Sequence, residues 1–570
     1  MTDIPSLRPL LAILVSTVAI PLILSLKRRP NVREGVTITV AVAKFAIVAS
    51  MVPGVLDGAR YVFSFGQLAT GIELAFRVDP LGLLFGLLAS LLWIITSFYS
   101  IGYMRGLDEH AQTRYFASFA ASLASAIGVA FASNLLTLFV CYELLTVSTY
   151  PLVTHDETDE ARAAGRKYLA YTFGGGVAVL GGTVLVSFLT AGTGAVAGTT
   201  AFTPGGIEAL ATADPTLARA AFALLVAGFG VKAALMPMHS WLPDAMVAPT
   251  PVSGLLHAVA VVKSGVFGIA RVVLDVYGTD IMAADQLGVG LPLAAVAAFT
   301  LLTASIIALR QDNLKRRLAY STISQLSYIV LGLGMLHGKA LTGGLLHIPA
   351  HAFMKLTLFF CAGAIHVETH TDDISDMAGI GRRMPVTMAA FAVAAAGMAG
   401  IPLVAGFVSK WYLVIGALEG GQLVFAASLL VSGVLNIAYF WPIVYQAYFE
   451  SPASHDEKPL IGGPVGGRDG VRADGGSAQG SEDATDRSDV PEPEHVDHLG
   501  KHHEDHEHHG GPPEGGWDDR DWRGGESTWF MLGPILAAAA LSLLLGTVPY
   551  TAVFLRIVDA IVGNLPGVVA

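Results

Sequence analysis

The chain has 570 residues, of which 53% are hydrophobic and only 14% are charged, and its mean hydropathy is +0.59. This composition excludes an ordinary soluble multidomain protein and predicts a polytopic, all-α membrane protein. The formal net charge is −11, but much of the acidity lies in one late segment and says little about the hydrophobic part. The two cysteines, Cys141 and Cys361, lie in apolar runs, which argues against a disulfide framework.

The first apolar run, residues 9–26, is followed at once by Lys27, Arg28 and Arg29. A cleaved signal peptide carries its charges before the apolar run, so this run is predicted to remain as the first transmembrane span. Further runs of about 20 residues follow, and about 20 residues cross the hydrocarbon core of a bilayer. The fourteen or so predicted spans are 9–26, 36–52, 81–103, 115–132, 135–154, 168–190, 218–238, 250–274, 288–309, 319–336, 342–366, 386–408, 423–449 and 529–548.

Basic residues are concentrated in the loops that follow odd-numbered spans, as at residues 27–33, 162–167 and 310–317. Lys and Arg are enriched in cytoplasmic loops, so these loops are predicted to be cytoplasmic and the N-terminus to lie outside. The chain is then a multi-pass protein of the plasma membrane. The same argument places the polar segment 451–528, between spans thirteen and fourteen, in the cytoplasm.

Residues 451–528 are rich in Gly, Asp, Glu, Pro and His and have no sustained apolar periodicity, which predicts a disordered or loosely folded insert. The tract HVDHLGKHHEDHEHH at 495–509 could collect a soft divalent metal, but it lacks a fixed ligand geometry. A solvated charged loop is the favoured interpretation. Because the sequence has no CxxC cluster and no GxGxxG after a strand, we predict that the chain has no cofactor, no metal and no catalytic chemistry of its own.

Glu143 is the only acid within a strongly apolar run, NLLTLFVCYELLTVSTYPLV. A charge at the bilayer centre costs about 2.5–3.5 kcal/mol on insertion scales, so it requires a partner, and Lys232 in VAGFGVKAALM is the natural candidate. A nearby carboxylate would hold the lysine protonated, whereas its withdrawal would let the lysine release the proton. The pair would then act as a switch. The alternative is an interfacial glutamate at a helix end.

Four prolines interrupt the hydrophobic sequence after Lys232: Pro237, Pro243, Pro249 and Pro251. Backbone groups freed at membrane depth are tolerated where protein or a water-filled cavity satisfies them, and discontinuous helices of this kind build transport sites. The alternative is a kinked helix followed by an ordinary loop.

Two further helices carry ionisable side chains. His257 and Lys263 extend the polar line that begins at Lys232, and histidine titrates near neutral pH and can relay protons. His347, His351 and Lys355 are spaced four apart, so they share one helix face over about 12 Å. The alternative is a set of independent core residues satisfied by packing.

Lys410 follows the sequence GIPLVAGFVSK, in which Gly400, Pro402 and Gly406 loosen a helix. An interrupted hydrophobic segment in each half of a transporter indicates an internal repeat with its site at the repeat interface. Alternatively, Lys410 snorkels from a helix end toward water.

GVKAALMPMHSWLPDAMVAPTPVSGLLHAVAVVKSGVF, HAFMKLTLFFCAGAIH and GIPLVAGFVSK resemble the antiporter-like proton-conducting subunits shared by Mrp-type cation/proton antiporters and respiratory complex I. The resemblance spans roughly residues 80–450 and is greatest to the Mrp antiporter subunits of the D type. It implies fourteen helices, with helices four to eight and nine to thirteen forming inverted five-helix repeats that each contain a broken helix. The implied divisions are 1–110, 111–275, 276–450, the insert at 451–528 and a last helix and tail at 529–570.

The resemblance also implies roles for the charged residues. Glu143 and Lys232 would form the pair of the first half-channel, His257 and Lys263 a link, and Lys410 the exit residue of the second broken helix. The central relay would consist of His347, His351 and Lys355. Leu403 departs from the family, which often has a second proline after GIP.

The implied function is proton translocation within a multisubunit monovalent cation (Na⁺)/proton antiporter. The alternative is a proton-pumping membrane subunit of a complex I-like redox assembly, in which any oxidoreductase activity would belong to partner subunits. A stand-alone solute carrier is a third possibility. The expected partners are other membrane subunits, protons, a monovalent cation and the lipid bilayer, with no nucleic acid.

Overall fold

A computed structural model describes residues 1–69, 72–191, 198–451, 511–513, 516–518, 520, 525–550 and 553–565. Its helices are α1 (Arg8–Ser25), α2 (Pro30–Ala49), α3 (Val52–Leu56), α4 (Pro80–Gly106), α5 (Gln112–Phe131), α6 (Leu135–Val153), α7 (Asp159–Thr190), α8 (Pro215–Lys232), α9 (Trp241–Asp244), α10 (Thr250–Gly254), α11 (Val261–Arg271), α12 (Gly278–Met282), α13 (Gly290–Leu309), α14 (Leu314–Gly334), α15 (Gly338–Thr369), α16 (Ile380–Arg383), α17 (Pro385–Ala399), α18 (Ala405–Glu419), α19 (Leu423–Phe449), α20 (Trp529–Thr547) and α21 (Phe554–Val562). Leu255–Val259 and Val272–Tyr277 are π-helical, and Glu208–Ala211, Ala245–Val247 and Ile374–Asp376 are 3₁₀ turns.

Within the described residues, eleven helices are long and apolar enough to cross a membrane. The prediction of an all-α polytopic membrane protein is confirmed. The other three predicted spans differ from these eleven. Residues 319–336 fall in α14, a continuous helix that is rich in Ser, Thr and Gln, whereas 250–274 is divided by π-helical turns and 386–408 is interrupted between α17 and α18. Length and hydropathy therefore identify most spans, while the three exceptions carry polar or broken sequence.

A small three-stranded sheet, absent from the sequence predictions, joins one strand before the first span to two strands between the second and third spans. Its strands are β1 (Thr2–Pro5), β2 (Ala59–Ala69) and β3 (Ile72–Val78). β1 pairs with β2 in parallel and β2 pairs with β3 antiparallel, with Phe63 opposite Phe76. Alternating aromatic and β-branched residues in YVFSF explain the strand, since such side chains pack well on a pleated surface.

The helix α15 is the centre of the bundle. The most apolar stretch of α15 is buried along its whole length. The helix packs against α14, α17, α18, α20 and the π-helical turn at 255–259. Its 32 residues span about 48 Å at 1.5 Å per residue. A helix hydrophobic on every side is expected in the interior of a bundle, and α15 brings its polar side chains there as well.

The first broken helix is α8, which ends at Lys232, earlier than the predicted boundary at residue 238. Residues 233–240 are irregular, with Ala234 in the left-handed region at φ 54°, and the chain turns helical again only at α9. Predicted helices four to eight correspond to α5 through α12. The break follows α8, which is the fourth of these five predicted helices.

The second broken helix is formed by α17 and α18. Gly400 (φ 90°) and Leu403 (φ 75°) both adopt left-handed conformations between them. A proline ring holds φ near −65°, so proline could not adopt the Leu403 conformation, and this turn is built differently from one with a second proline. The helix resumes at Ala405 and continues to Glu419, so the predicted end at residue 408 is wrong. Again the break falls in the fourth of five predicted helices, and the two inverted repeats themselves stay a prediction.

The end of the segment 451–528 is packed against the helices, although a loosely folded insert was expected. Trp517 donates its indole N–H to the carbonyl of Ala378 at 2.8 Å. The Glu526 carboxylate accepts from the backbone N–H groups of Val386 (2.9 Å) and Thr387 (2.6 Å), and so caps the N-terminus of α17. Residues 452–510, with the histidine tract at 495–509, lie outside the described residues.

Candidate functional site

Lys232 is fully buried at the C-terminal end of α8, and its partner is Tyr142 on α6. The Lys232 Nζ donates to the Tyr142 carbonyl at 2.7 Å and lies 3.4 Å from the centroid of the Tyr142 ring. The Tyr142 hydroxyl in turn donates to the Gly228 carbonyl at 3.1 Å. One tyrosine thus holds the lysine head through a carbonyl and a ring face, and both favour a cation.

Glu143 does not contact Lys232, although both residues are described. Its side chain is half-buried, and its Oε1 is enclosed without a hydrogen-bond partner among the described residues. The carboxyl group lies against Gly176 of α7, so closely that a Cβ added there would be 2.0 Å from Oε1. The expected ion pair is absent from this conformation, while the two side chains remain near enough to interact electrostatically. The role of this pair as a switch stays a prediction, for which this conformation would be the separated arrangement.

Glycines set the distances between the helices that carry these groups. A Cβ added at Gly228 of α8 would lie 2.5 Å from the Gly175 carbonyl oxygen of α7. A Cβ at Gly265 of α11 would lie 2.3 Å from the Ala233 nitrogen, directly after Lys232. Only glycine permits backbones to approach so closely. The break after Lys232 is therefore pressed against the helix that carries Lys263.

Lys263 and His351 form the central contact of the site. Both side chains are fully buried, and Lys263 Nζ lies 2.7 Å from His351 Nδ1. The other ring nitrogen of His351, Nε2, has no partner among the described residues. The pair can share a proton between an amine and an imidazole, and the free nitrogen leaves a second route for it.

His257 lies in the π-helical turn, fully buried, with its ring 4.7 Å from the ring of Phe359. Neither ring nitrogen has a hydrogen-bond partner within the part of the chain that the structure describes. Lys263 and Lys355 are both near enough to act on it electrostatically. Because π turns often occur at functional sites and buried polar groups normally have partners, His257 stays a candidate for the predicted link.

His347 is held by two side chains. Its Nε2 is 2.9 Å from Gln325 Oε1 and its Nδ1 is 2.8 Å from the Ser409 hydroxyl. The Gln325 amide nitrogen donates to Asn436, which leaves its oxygen to accept from His347. His347 Nε2 therefore carries a hydrogen. Its Nδ1 contacts the hydroxyl of Ser409, the residue beside Lys410, and that hydroxyl also lies 3.2 Å from the Gly406 carbonyl oxygen, to which it can donate.

Lys355 and Lys410 both donate to backbone carbonyl groups. Lys355 Nζ donates to the Leu318 carbonyl at 2.8 Å and also to the Ser321 hydroxyl, both on α14. Lys410 donates to the carbonyl of Met398, on the other side of the break, and its Nζ lies 4.8 Å from the centroid of the Tyr328 ring. Its head group is turned into the broken helix, so the snorkelling alternative is wrong.

The eight predicted residues thus fall into two groups. Lys263 contacts His351, and His347, whose ring lies 6.1 Å from that of His351, contacts Ser409. Lys410 follows Ser409 in the chain, but its head group bonds to the Met398 carbonyl. His257 and Lys355 flank that line. Glu143 and Lys232 form the other group, which touches the first through the backbone at Gly265 and not through a direct side-chain hydrogen bond among the described residues.

Sequence reasoning missed several polar residues that complete the site. Tyr142, Gln325 and Ser409 are ordinary residue types in a helix and carry no charge that would single them out. Lys44 was a recognisable omission, because it lies in the apolar run VTITVAVAKFAIVA. It is fully buried, donates to the Leu123 carbonyl at 2.9 Å and lies 4.9 Å from the Trp93 ring centroid.

A known protein family matches the part of the chain that contains these site residues. Residues 132–436 match the family described as NADH:quinone oxidoreductase/Mrp antiporter, TM, and this range includes every predicted site residue. The chain belongs to this family. It is 34% identical over 469 residues to NADH-quinone oxidoreductase subunit N of Desulforudis audaxviator, with 79% of this chain and 89% of that relative covered.

Other members of the family include antiporter subunits. The chain is 30% identical to the putative antiporter subunit mnhA2 of Staphylococcus haemolyticus, over 70% of this chain and half of the relative's length. In fold it is similar to a chain in the Mrp complex of Dietzia sp. DQ12-45-1b, with a TM-score of 0.75, 22% identity and coverage of 99% of this chain and 98% of that one. The expected antiporter-like family is confirmed.

Proposed function

We propose that the chain moves protons across the membrane as one subunit of a multisubunit monovalent cation/proton antiporter of the Mrp type. The observation that carries the proposal is the buried contact between Lys263 and His351. His347 with its Ser409 contact lies one turn away on the same helix, and Lys410 lies next to Ser409 in the chain, at the second break. Relatives with antiporter names and the near-complete overlap with a chain of the Dietzia Mrp complex support this assembly.

Protons would pass along this line between groups that can each bind or release one. His351 and His257 have ring nitrogens with no partner among the described residues, so these atoms are available for transfer. Lys232 would be the switch of the first half, loaded when Glu143 approaches and discharged when Glu143 rests against Gly176. Intramembrane ionisable groups that lie inside a bundle and pair with one another typically mark such relays.

A second candidate is supported by a specific similarity. The relation to subunit N of NADH-quinone oxidoreductase covers 89% of that relative, so the same proton path could serve a redox-driven pump. The flavin and iron–sulfur chemistry of such an assembly would then reside in other subunits. A stand-alone solute carrier is the third candidate, and it predicts transport by the isolated chain.

The proposed orientation has the N-terminus outside and the segment 451–528 in the cytoplasm, from the distribution of Lys and Arg between loops. Protease added to right-side-out vesicles should leave that segment uncut. Cleavage there, with the loop at 310–317 still protected, would contradict the orientation.

The test of function is purification in mild detergent followed by transport in liposomes. We expect small antiporter-type subunits to co-purify, and Na⁺ or another monovalent cation to dissipate an imposed pH gradient. Flavin and iron absorbance in the purified assembly would instead favour the redox alternative. Transport by the isolated chain would contradict both.

A further inference from the structure

A second cluster of ionisable side chains lies outside the membrane-spanning line, where the loop after α4 meets the turn after α6. Glu109, His110 and His155 each offer one ligand atom, and these atoms lie within 4.8 Å of one another. His155 Nε2 is 3.7 Å and His110 Nδ1 is 3.8 Å from Glu109 Oε2. None of these residues belongs to the proposed proton path.

We propose that Glu109, His110 and His155 form a binding site for a divalent transition-metal ion of the Zn²⁺ class. Two imidazoles and a carboxylate are the ligand types that Zn²⁺ takes at bond lengths of about 2.0–2.2 Å. Tetrahedral ligands at that bond length lie about 3.3–3.6 Å apart, so the observed separations to Glu109 require movements of only a few tenths of an ångström.

His155 supplies the independent observation. Its side chain is fully buried, yet neither ring nitrogen has a hydrogen-bond partner among the described residues. Buried polar groups are nearly always paired, and an unpaired imidazole directed at a carboxylate is explained by a ligand between them. The backbone of this turn is held separately, because Arg114 donates to the His155 carbonyl at 3.1 Å.

The surroundings also favour a cation. Asp156 adds a second negative charge near Glu109, and Lys315 adds a positive charge near Asp156. His110 is half-exposed, so the fourth position of a tetrahedral ion would face water. Binding would join the loop after α4 to the turn after α6.

The experiment must separate this site from the histidine tract. The full chain, in its purified assembly, would carry Asn in place of His495, His498, His502, His503, His506, His508 and His509. After treatment with a chelator, it would be titrated with Zn²⁺ by calorimetry, and with Co²⁺ to follow the absorption of a tetrahedral site.

We expect one saturable Zn²⁺ site per chain, weakened at least about tenfold by His110→Gln and by Glu109→Gln. His110 is exposed enough for its substitution to leave folding intact, and His155→Gln should abolish binding. The matched control is His337→Gln, since His337 also lies near a carboxylate, Glu419 at 3.9 Å, but without a third ligand among the described residues. Absence of binding, or equal loss with the control, would overturn the proposal. Transport is not part of the readout, so the result is independent of the proposed function.

Discussion

Lys232 binds the carbonyl oxygen of Tyr142 and not the carboxylate of Glu143. The two side chains occupy separate positions. The Lys232 ammonium group lies against the face of the Tyr142 ring, and the Glu143 carboxyl group lies against Gly176. Because the two described side chains make no direct ion pair in this conformation, removing one of them does not deprive the other of a direct partner. The two residues can therefore be tested for function with little effect on folding.

The first prediction concerns this pair. Lys232→Ala removes the proton carrier, and Lys232→Arg replaces it with a guanidinium that stays protonated at any working pH. Both should abolish proton-coupled transport in liposomes while the assembly still forms. Glu143→Gln should do the same, since it removes the charge that loads the lysine.

The control is Lys339→Ala. Lys339 is exposed and pairs with Glu419 at 2.6 Å on the surface, so its loss should leave transport nearly unchanged. Near-normal transport by Lys232→Arg or by Glu143→Gln would mean that the pair is structural and that protons take another path.

The second prediction uses the glycine beside Glu143. In Gly176→Ala the new methyl group would occupy the position of the Glu143 carboxyl, 2.0 Å from Oε1, and would displace this flexible side chain. We expect a clear fall in transport rate with a change in thermal stability below about 1 kcal/mol, because a side-chain end moves at little cost.

Gly174→Ala is the matched change, two residues away on the same helix, where an added Cβ meets nothing within 4 Å. It should be neutral in both assays. Equal transport by the two variants would show that the position of the Glu143 carboxyl group against Gly176 is not needed for transport.

The third prediction concerns the packing of the first break. Gly265→Ala places a methyl group 2.3 Å from the Ala233 nitrogen and 2.8 Å from the Phe229 oxygen, both backbone atoms that cannot turn aside. Overpacking of this kind costs about 1–3 kcal/mol. Thermal unfolding in detergent should show a lower midpoint, and transport should fall with it.

Gly433→Ala, in the middle of α19 with open space around it, is the comparison. There alanine should leave stability unchanged or raise it by up to about 1 kcal/mol, since alanine is the better helix former. A midpoint for Gly265→Ala equal to that of Gly433→Ala would refute the close contact between α8 and α11.

The fourth prediction separates the two parts of the insert. Deletion of residues 456–508 should leave assembly and transport intact, because this part carries no apolar periodicity. Extending the deletion to residue 520 removes Trp517 and its bond to Ala378, and we expect a less stable protein. Thermal unfolding of the two deletions and of Trp517→Ala, which should resemble the longer one, would measure the difference. Identical midpoints would mean that the Trp517 contact is incidental.

Composition and hydropathy alone determined that the chain is a polytopic helical membrane protein, since apolar runs of about 20 residues have few other stable solutions. The high free-energy cost of intramembrane charge likewise singled out Lys232, Lys263, His351 and their neighbours by residue type and position along the chain. Hydropathy could not place the ends of broken helices, because residues such as Leu403 take conformations that depend on the packing around them.

Only the tertiary structure decided which groups meet. The pairing of Lys263 with His351 joins residues 88 positions apart, and the choice of Tyr142 over Glu143 for Lys232 depends on glycine contacts between three helices. Distances of this kind arise from side chains of several helices interlocking at once, so no periodicity within one helix encodes them. For the same reason, the sequence analysis did not single out Glu109, His110 and His155. These residues lie in two loops that meet only in the folded protein, and α5 and α6 separate His155 from the other two along the chain.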